Sequence, residues 1–242
     1  MIWPSHICFR SLALALFLTS AATPATVTGR VELVSSHGKK GGRNPDYSGV
    51  VVWLEPVSGA SAVPASLGRV QMIQKNKTFT PHVLAIPVGA VVDFPNFDPI
   101  FHNAFSNYNG QIFDIGLYPP GTTRSLAFHR EGVVRVFCNI HSTMSAVIVV
   151  LKSPYFATSA RSGVFEMDNV FAGLYRLHLF HERAAEETLT ALTRTLQVGD
   201  GPLELPPLQI PENGYLELPH KNKYGKDYPP LSDSGAYLGT TP

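Results

Sequence analysis

Apolar β-formers along this chain come in short runs, broken by Gly, Pro and polar turn residues. "TVTGRVELV" (26–34) alternates apolar and polar positions, as a half-buried strand does. "VVVWLEP" (50–56), "RVQMIQ" (69–74), "HVLAIPV" (82–88) and "AVVDF" (90–94) follow as further strands. "QIFDIGL" (111–117), "RSLAF" (124–128), "GVVRVF" (132–137) and "SAVIVVL" (145–151) continue the series. None has a 3.6-residue period over a useful length, so no helix is predicted. After Lys152 the segment 153–182 reads as a strand, a Gly turn, a second strand, "NVFAG" and a third strand. "TLTALTRTLQV" (188–198) and "LELPPLQI" (203–210) are read as two more. Many short strands at even spacing predict an all-β protein built as a sandwich. The expected division is a Greek-key β-sandwich over 23–152, a second small β-sandwich over 153–210 and a polar, Pro-rich tail over 211–242, poorly ordered unless docked on the body.

The first residues carry a different pattern. Arg10 precedes the apolar run "SLALALFLTS", and small residues at 20–22 follow it. This is the pattern of a secretory signal peptide over 1–22, with cleavage near Ala22. The run is too short to span a bilayer, and no later segment has about 18 uninterrupted apolar residues. The expected location is periplasmic or secreted, with no membrane span. Composition agrees with the strand reading: 44% of residues are hydrophobic, only 15% are charged, and Gly and Pro number 20 each. The 19 Lys and Arg include Arg10, so the exported chain carries 18 basic against 18 acidic residues. It has no basic stripe of the kind a nucleic acid requires.

Export also changes the cysteine count. Cys8 leaves with the leader, so Cys138 remains alone and forms no internal disulfide. It lies in "FCNIHSTM" (137–144), where Cys138, His141 and Met144 recur at three-residue intervals between two strands. A tight loop there can turn all three side chains to one point. His102, in "VVDFPNFDPIFHNAFS" (91–106), follows another strand and offers a fourth ligand. One thiolate, two imidazoles and a thioether match the His₂Cys set with a weak axial Met that favours copper. Zinc prefers a second thiolate or a carboxylate, and an iron–sulfur cluster needs more Cys than this chain has. The bland reading is a buried thiol beside a surface His and a core Met, since Cys and Met are common core residues.

The strand–His segment followed by C-x₂-H-x₂-M between the last two strands resembles the cupredoxins. The short loop is most similar to the amicyanin type. "VDFPNFDPIFHNAFS" and "GVVRVFCNIHSTMSAVIVV" are also similar to plastocyanin-like proteins labelled methylamine utilization proteins. The resemblance covers about residues 69–151. It implies Cys138 as thiolate, His102 and His141 as imidazole ligands, Met144 as axial thioether, and Asn103 as the residue outside the ligand set that ties the two ligand loops. It further implies a type 1 copper centre that transfers single electrons, the edge of His141 as the electron port, and an apolar patch of Phe101, Ile140 and Met144 for brief docking of redox protein partners. "GRVELV", "SGVVVWLEP" and "SGVFEMDNVFAGLYRLHLFHE" are similar instead to carboxypeptidase-regulatory-like domains, whose role is structural or adhesive.

Other candidates are weaker. His82 begins a strand and is read as structural or superficial. His178 and His181 lie three apart on a strand, point to opposite faces, and do not chelate together. His129 precedes a turn and is expected at the surface. Lys221, Lys223 and Lys226 offer a site for an acidic partner but are more simply solvated. G-x-S-x-G, Walker A and H-E-x-x-H are absent, as are the H-x-H pairs of multicopper oxidases. The chain is therefore expected to carry electrons and not to act as an enzyme. The alternative is a non-redox role, as a periplasmic copper carrier or an adhesion or assembly module.

Overall fold

The computed structural model describes residues 23–35, 45–58, 68–107, 110–214 and 220–228. The leader expected over 1–22, the centre of the polar loop after residue 35 and the end of the tail lie outside the described residues. The strands of the first half are β1 (Ala25–Ser35), β2 (Val51–Ser58), β3 (Arg69–Gln71), β4 (Ile73–Lys75), β5 (Thr78–Thr80), β6 (Val83–Pro87) and β7 (Val91–Pro95). Then come β8 (Phe105–Ser106), β9 (Phe113–Asp114), β10 (Thr123–Ala127), β11 (Gly132–Phe137) and β12 (Ser145–Leu151). The last part holds β13 (Phe156–Thr158), β14 (Val164–Val170), β15 (Gly173–Phe180), the helix α1 (Glu186–Leu192), β16 (Arg194–Val198), β17 (Leu203–Glu204) and β18 (Leu208–Glu212). The fold is nearly all β, as the strand pattern predicts. Among the described residues, no helix is long and apolar enough to cross a membrane.

Two sandwiches are present, and their strand pairing corrects the division read from the sequence. One sandwich packs the sheet β6-β12-β11-β8-β9 against the sheet β10-β7-β3. Its core includes Met72, Phe79, Ile86, Val92, Phe94, Tyr118, Phe128, Val134 and Ile148. The other is built from strands before and after these in the chain. β1 pairs with β14, β17 and β18, while β2 pairs with β13 and β15. Residues 23–58 therefore do not belong to the first sandwich, as a boundary at 152 supposes. They complete the second, and the stretch from β3 to β12 is inserted between them and their partners. The reason is burial: Val27, Val31, Val52 and Leu54 join Phe165, Tyr175, Leu177 and Ile210 in one core. Gly163 is required where β14 begins. Its φ is +86°, and a Cβ there would collide with the Val31 carbonyl oxygen.

A second correction concerns 188–198, read as one strand. The first part is α1, with Glu186 and Glu187 in its first turn, and only the remainder is β16. Acidic residues there are favoured by the helix dipole.

β12 joins the two bodies. Ala146, Ile148 and Val150 face the inserted core, while Val147, Val149 and Leu151 pack with Val51, Val83 and Phe180 between the sandwiches. Both faces are covered, so "AVIVVL" (146–151) is apolar throughout and does not alternate.

Candidate metal centre

The central strand β11 ends at Phe137, which pairs with Ser145 of β12 on one side and Phe105 of β8 on the other. This pairing sets the segment before β8, which holds His102, beside the loop that leaves β11. His102 is fixed by reciprocal backbone bonds: its N–H donates to the Tyr118 carbonyl (3.2 Å), and its own carbonyl accepts the Tyr118 N–H (2.9 Å). The loop is closed on itself. The Cys138 N–H donates to the Met144 carbonyl and the Met144 N–H to the His141 carbonyl, both at 3.1 Å.

His102, Cys138 and His141 converge, with their candidate ligand atoms all within 4.8 Å of one another. Cys138 Sγ lies 3.7 Å from His102 Nδ1 and 3.5 Å from His141 Nδ1. A first-row metal bound to imidazole and thiolate at bond lengths of about 2.0 and 2.3 Å, with about 120° between them, separates those donors by about 3.7 Å. The observed spacing therefore fits a cation held among the three. Met144 is buried in the same core cluster as Cys138.

The protonation states suit the same use. Burial pushes the Cys138 thiol up, against the backbone N–H groups of Asn103, Ile140 and His141 that pull it down. The group stays a thiol until a cation draws off its proton. Burial, then the neighbouring His102 and Lys77, bring His141 down to about 4, so its imidazole is neutral and its lone pair free to bind.

The sequence reading does not single out Asp98, yet its buried carboxylate sets the orientation of His102. His102 Nε2 lies 2.8 Å from Asp98 Oδ2, and neither residue is more than slightly exposed. A carboxylate only accepts, so Nε2 carries the hydrogen and Nδ1 turns its lone pair to Cys138. Asp98 is itself held by the N–H groups of Asn76 (2.6 Å) and Lys77 (2.8 Å). Those two form the β4–β5 turn, with φ of 55° and 56°, as a two-residue hairpin requires. Burial would raise the Asp98 carboxyl, but the Lys77 N–H, the His102 ring and the Asn76 N–H together hold it below its ordinary value.

Asn103 bonds groups in two other segments. Its Oδ1 accepts the Asn139 N–H at 2.5 Å, and its Nδ2 donates to Asp114 Oδ1 at 3.1 Å. The surface differs from the expected patch. Met144 is buried and takes no part in the surface, Phe101 is exposed and Ile140 half-buried, and Phe97 and Leu117 are also exposed. His129 is exposed. His82 bonds Glu182 through Nε2 (2.9 Å) and the Ser145 carbonyl through Nδ1 (3.1 Å). His178 and His181 face different partners, Glu55 and Glu212. The tail is not free of the body: Lys223 Nζ reaches Asp114 Oδ2 (2.7 Å) and Lys221 Nζ reaches Asp227 (2.5 Å), so two of the three lysines offered for an acidic partner are bound within the chain.

No family model matches the chain, and no curated protein matches it. Solved structures do. It is similar to a purple cupredoxin from Nitrosopumilus maritimus at 28% identity over 34% of this chain and 99% of that one, with a TM-score of 0.31. It is similar to the Cu-containing nitrite reductase of Thermus scotoductus SA-01 at 27% identity over 40% of this chain, with a TM-score of 0.34, and spans only 25% of that enzyme. It is similar to an oxidized mutant of amicyanin at 17% identity over 41% of this chain and 98% of that one, with a TM-score of 0.33. Its structural neighbours are cupredoxins. The His–Cys–His cluster fits copper.

Proposed function

We propose that this chain is an exported, mononuclear type 1 copper protein that passes single electrons between redox protein partners. One observation carries the reading: a buried thiol stands 3.5 and 3.7 Å from two imidazole nitrogens, the spacing of donors around one metal ion. His102, Cys138 and His141 would hold the ion, with Met144 as the weak axial donor in the amicyanin-like loop. Copper supplies a one-electron couple and accepts both soft and imidazole ligands.

The chain supplies the rest. Asp98 fixes the His102 ring, Asn103 fixes the two loops against each other, and the sheet holds both from below. Ligands so braced keep their positions when charge changes. Cys138 and His102 are shut off from water, while His141 is partly exposed and gives the route out. The exposed side chains of Phe97, Phe101 and Leu117 offer apolar contacts for brief docking of a partner. The role is transfer of electrons, not conversion of a substrate.

Titration of the purified chain with Cu(II), followed by visible absorption, tests this. The expected result is one equivalent bound with an intense thiolate-to-copper band. A colourless copper complex supports the carrier role instead, and a chain that binds no copper sinks the reading. Sequencing the N-terminus of the exported protein tests the leader, with residue 23 expected first.

A further inference from the structure

The tail segment 220–228 lies against the ligand loop from outside the sandwich. His220 is buried, with its ring 4.4 Å from that of Phe137 and 6.3 Å from that of Phe105, centroid to centroid. Its N–H donates to the Ser142 carbonyl at 3.1 Å. The Lys223 N–H donates to Asn139 Oδ1 at 3.0 Å. The Tyr228 hydroxyl donates to the carbonyl of Cys138 itself at 2.6 Å, and its ring stands edge-on to His220.

These contacts close a circuit. Lys223 Nζ binds Asp114 Oδ2, Asp114 Oδ1 accepts from Asn103 Nδ2, and Asn103 Oδ1 accepts the Asn139 N–H. The circuit adjoins two candidate ligands: Asn103 follows His102, and Asn139 follows Cys138. A solvated tail does not place a buried His, a phenol and an ammonium on one loop. Three polar groups aimed at backbone or side-chain partners mark a built contact.

We propose that the strap formed by residues 220–228 is part of the metal centre, with Tyr228 and Lys223 as positioning residues. It rests on the reading of His102, Cys138 and His141 as ligands. Tyr228 holds the Cys138 backbone and draws electron density from the carbonyl of the ligand residue. Lys223 holds the circuit that spaces the two ligand loops. The strap belongs to neither sandwich, so the centre is completed only when the tail folds back across it.

The experiment compares Tyr228→Phe, Lys223→Met and Tyr224→Phe in the full chain. Tyr224 is an exposed member of the same segment whose ring lies 5.3 Å from Lys223 Nζ, a contact that Phe preserves, so Tyr224→Phe serves as control. In the metal-free protein, iodoacetamide labelling of Cys138 is followed by mass on its own peptide. The thiol is buried, so its rate reports how often the loop opens. The expected rise is about two- to tenfold for Tyr228→Phe and for Lys223→Met, the factor that one lost hydrogen bond gives, and less than about twofold for Tyr224→Phe. In the copper-loaded protein, Tyr228→Phe is expected to lower the reduction potential while Tyr224→Phe leaves it unchanged; burial of the ring alone, which Phe preserves, does not do this. Wild-type labelling rates or a wild-type potential in Tyr228→Phe overturn the proposal. A wild-type chain that takes up no copper defeats the ligand reading separately, and the labelling rates still decide whether the strap holds the loop.

Discussion

The two sandwiches have cores of the same kind but different polar interiors. The core that includes β1, β2, β14 and β15 is aliphatic and aromatic, and the polar side chains buried near it are Ser153 and Ser159, which bond backbone groups, and His181, which bonds Glu212. The inserted sandwich buries Gln74, Asp93, Asn96, Asp98, His102 and Asn103. Burying such groups costs free energy unless each is bonded. In a sandwich that holds together by apolar packing alone, that cost has no structural return. Three of these groups, Asp98, His102 and Asn103, are linked by hydrogen bonds to Cys138 or its loop, and their burial marks the body that carries the candidate site.

Substitutions that act on one body and leave the other alone sharpen this contrast. The largest effect is expected from Cys138→Ser, which should abolish the intense visible band and most copper retention while thermal unfolding of the metal-free chain changes little. A blue Cys138→Ser protein would overturn the ligand assignment. Leu177→Ala, in the fully buried core of the other sandwich, should cost about 2–5 kcal/mol in denaturant unfolding. The copper spectrum of the folded fraction should not move. If it does, the two bodies are coupled more tightly than the shared face of β12 implies. Asp98→Asn keeps the shape but weakens the acceptor that orients His102, and copper affinity measured by competition with a chelator should fall about 10- to 100-fold. Met144→Leu should keep the colour and raise the reduction potential, because an axial donor to Cu(II) is lost; an unchanged potential in electrochemistry would remove Met144 from the ligand set.

Legibility follows the same division. "GVVRVF" and "SAVIVVL" coincide with β11 and β12, because polar residues bracket each apolar run. The cluster of His102, Cys138 and His141 is readable because the chain's thiol stands three residues from one imidazole, while His102, 36 residues earlier, is found only through the strand that precedes it. Asp98 stands four residues before His102 in plain view, but a lone carboxylate carries no signal until its burial is known. The pairing of β1 with β14 and of β2 with β15 is not readable, since periodicity marks a strand and says nothing of a neighbour more than a hundred residues away. Helix α1 is hidden because "TLTALTRTLQV" also suits a two-residue period, and Glu186 and Glu187, which favour a helix start, lie just outside that run. The strap has no apolar pattern, so its contacts come from single polar groups that no window of sequence displays.

The smallest effect is expected at the seam. His82 is raised by its bond to Glu182, so its share of stability is complete below its ordinary 6.5 and is lost as pH rises through the higher folded value. Burial would raise Glu182, but His82 holds it below its ordinary 4.5, so its share is complete above that value and is lost as pH falls. The pair is therefore at full strength between 4.5 and 6.5. Melting temperatures of wild type and His82→Gln across pH should differ most within that window, by the equivalent of at most about 1 kcal/mol, because water screens the half-exposed His82. A difference that does not change with pH would mean that the two bodies are joined by apolar contact alone.

The insertion of one body into the other orders biosynthesis. As the polypeptide leaves the ribosome, β1 and β2 emerge first and find no partners, since β13 to β18 are made after the inserted strands. Their unpaired edges stay open to wrong neighbours until the strands from β13 to β18 arrive. The inserted sandwich, by contrast, holds all its strands once Leu151 has emerged, and can collapse around its thiol before the partners of β1 and β2 exist.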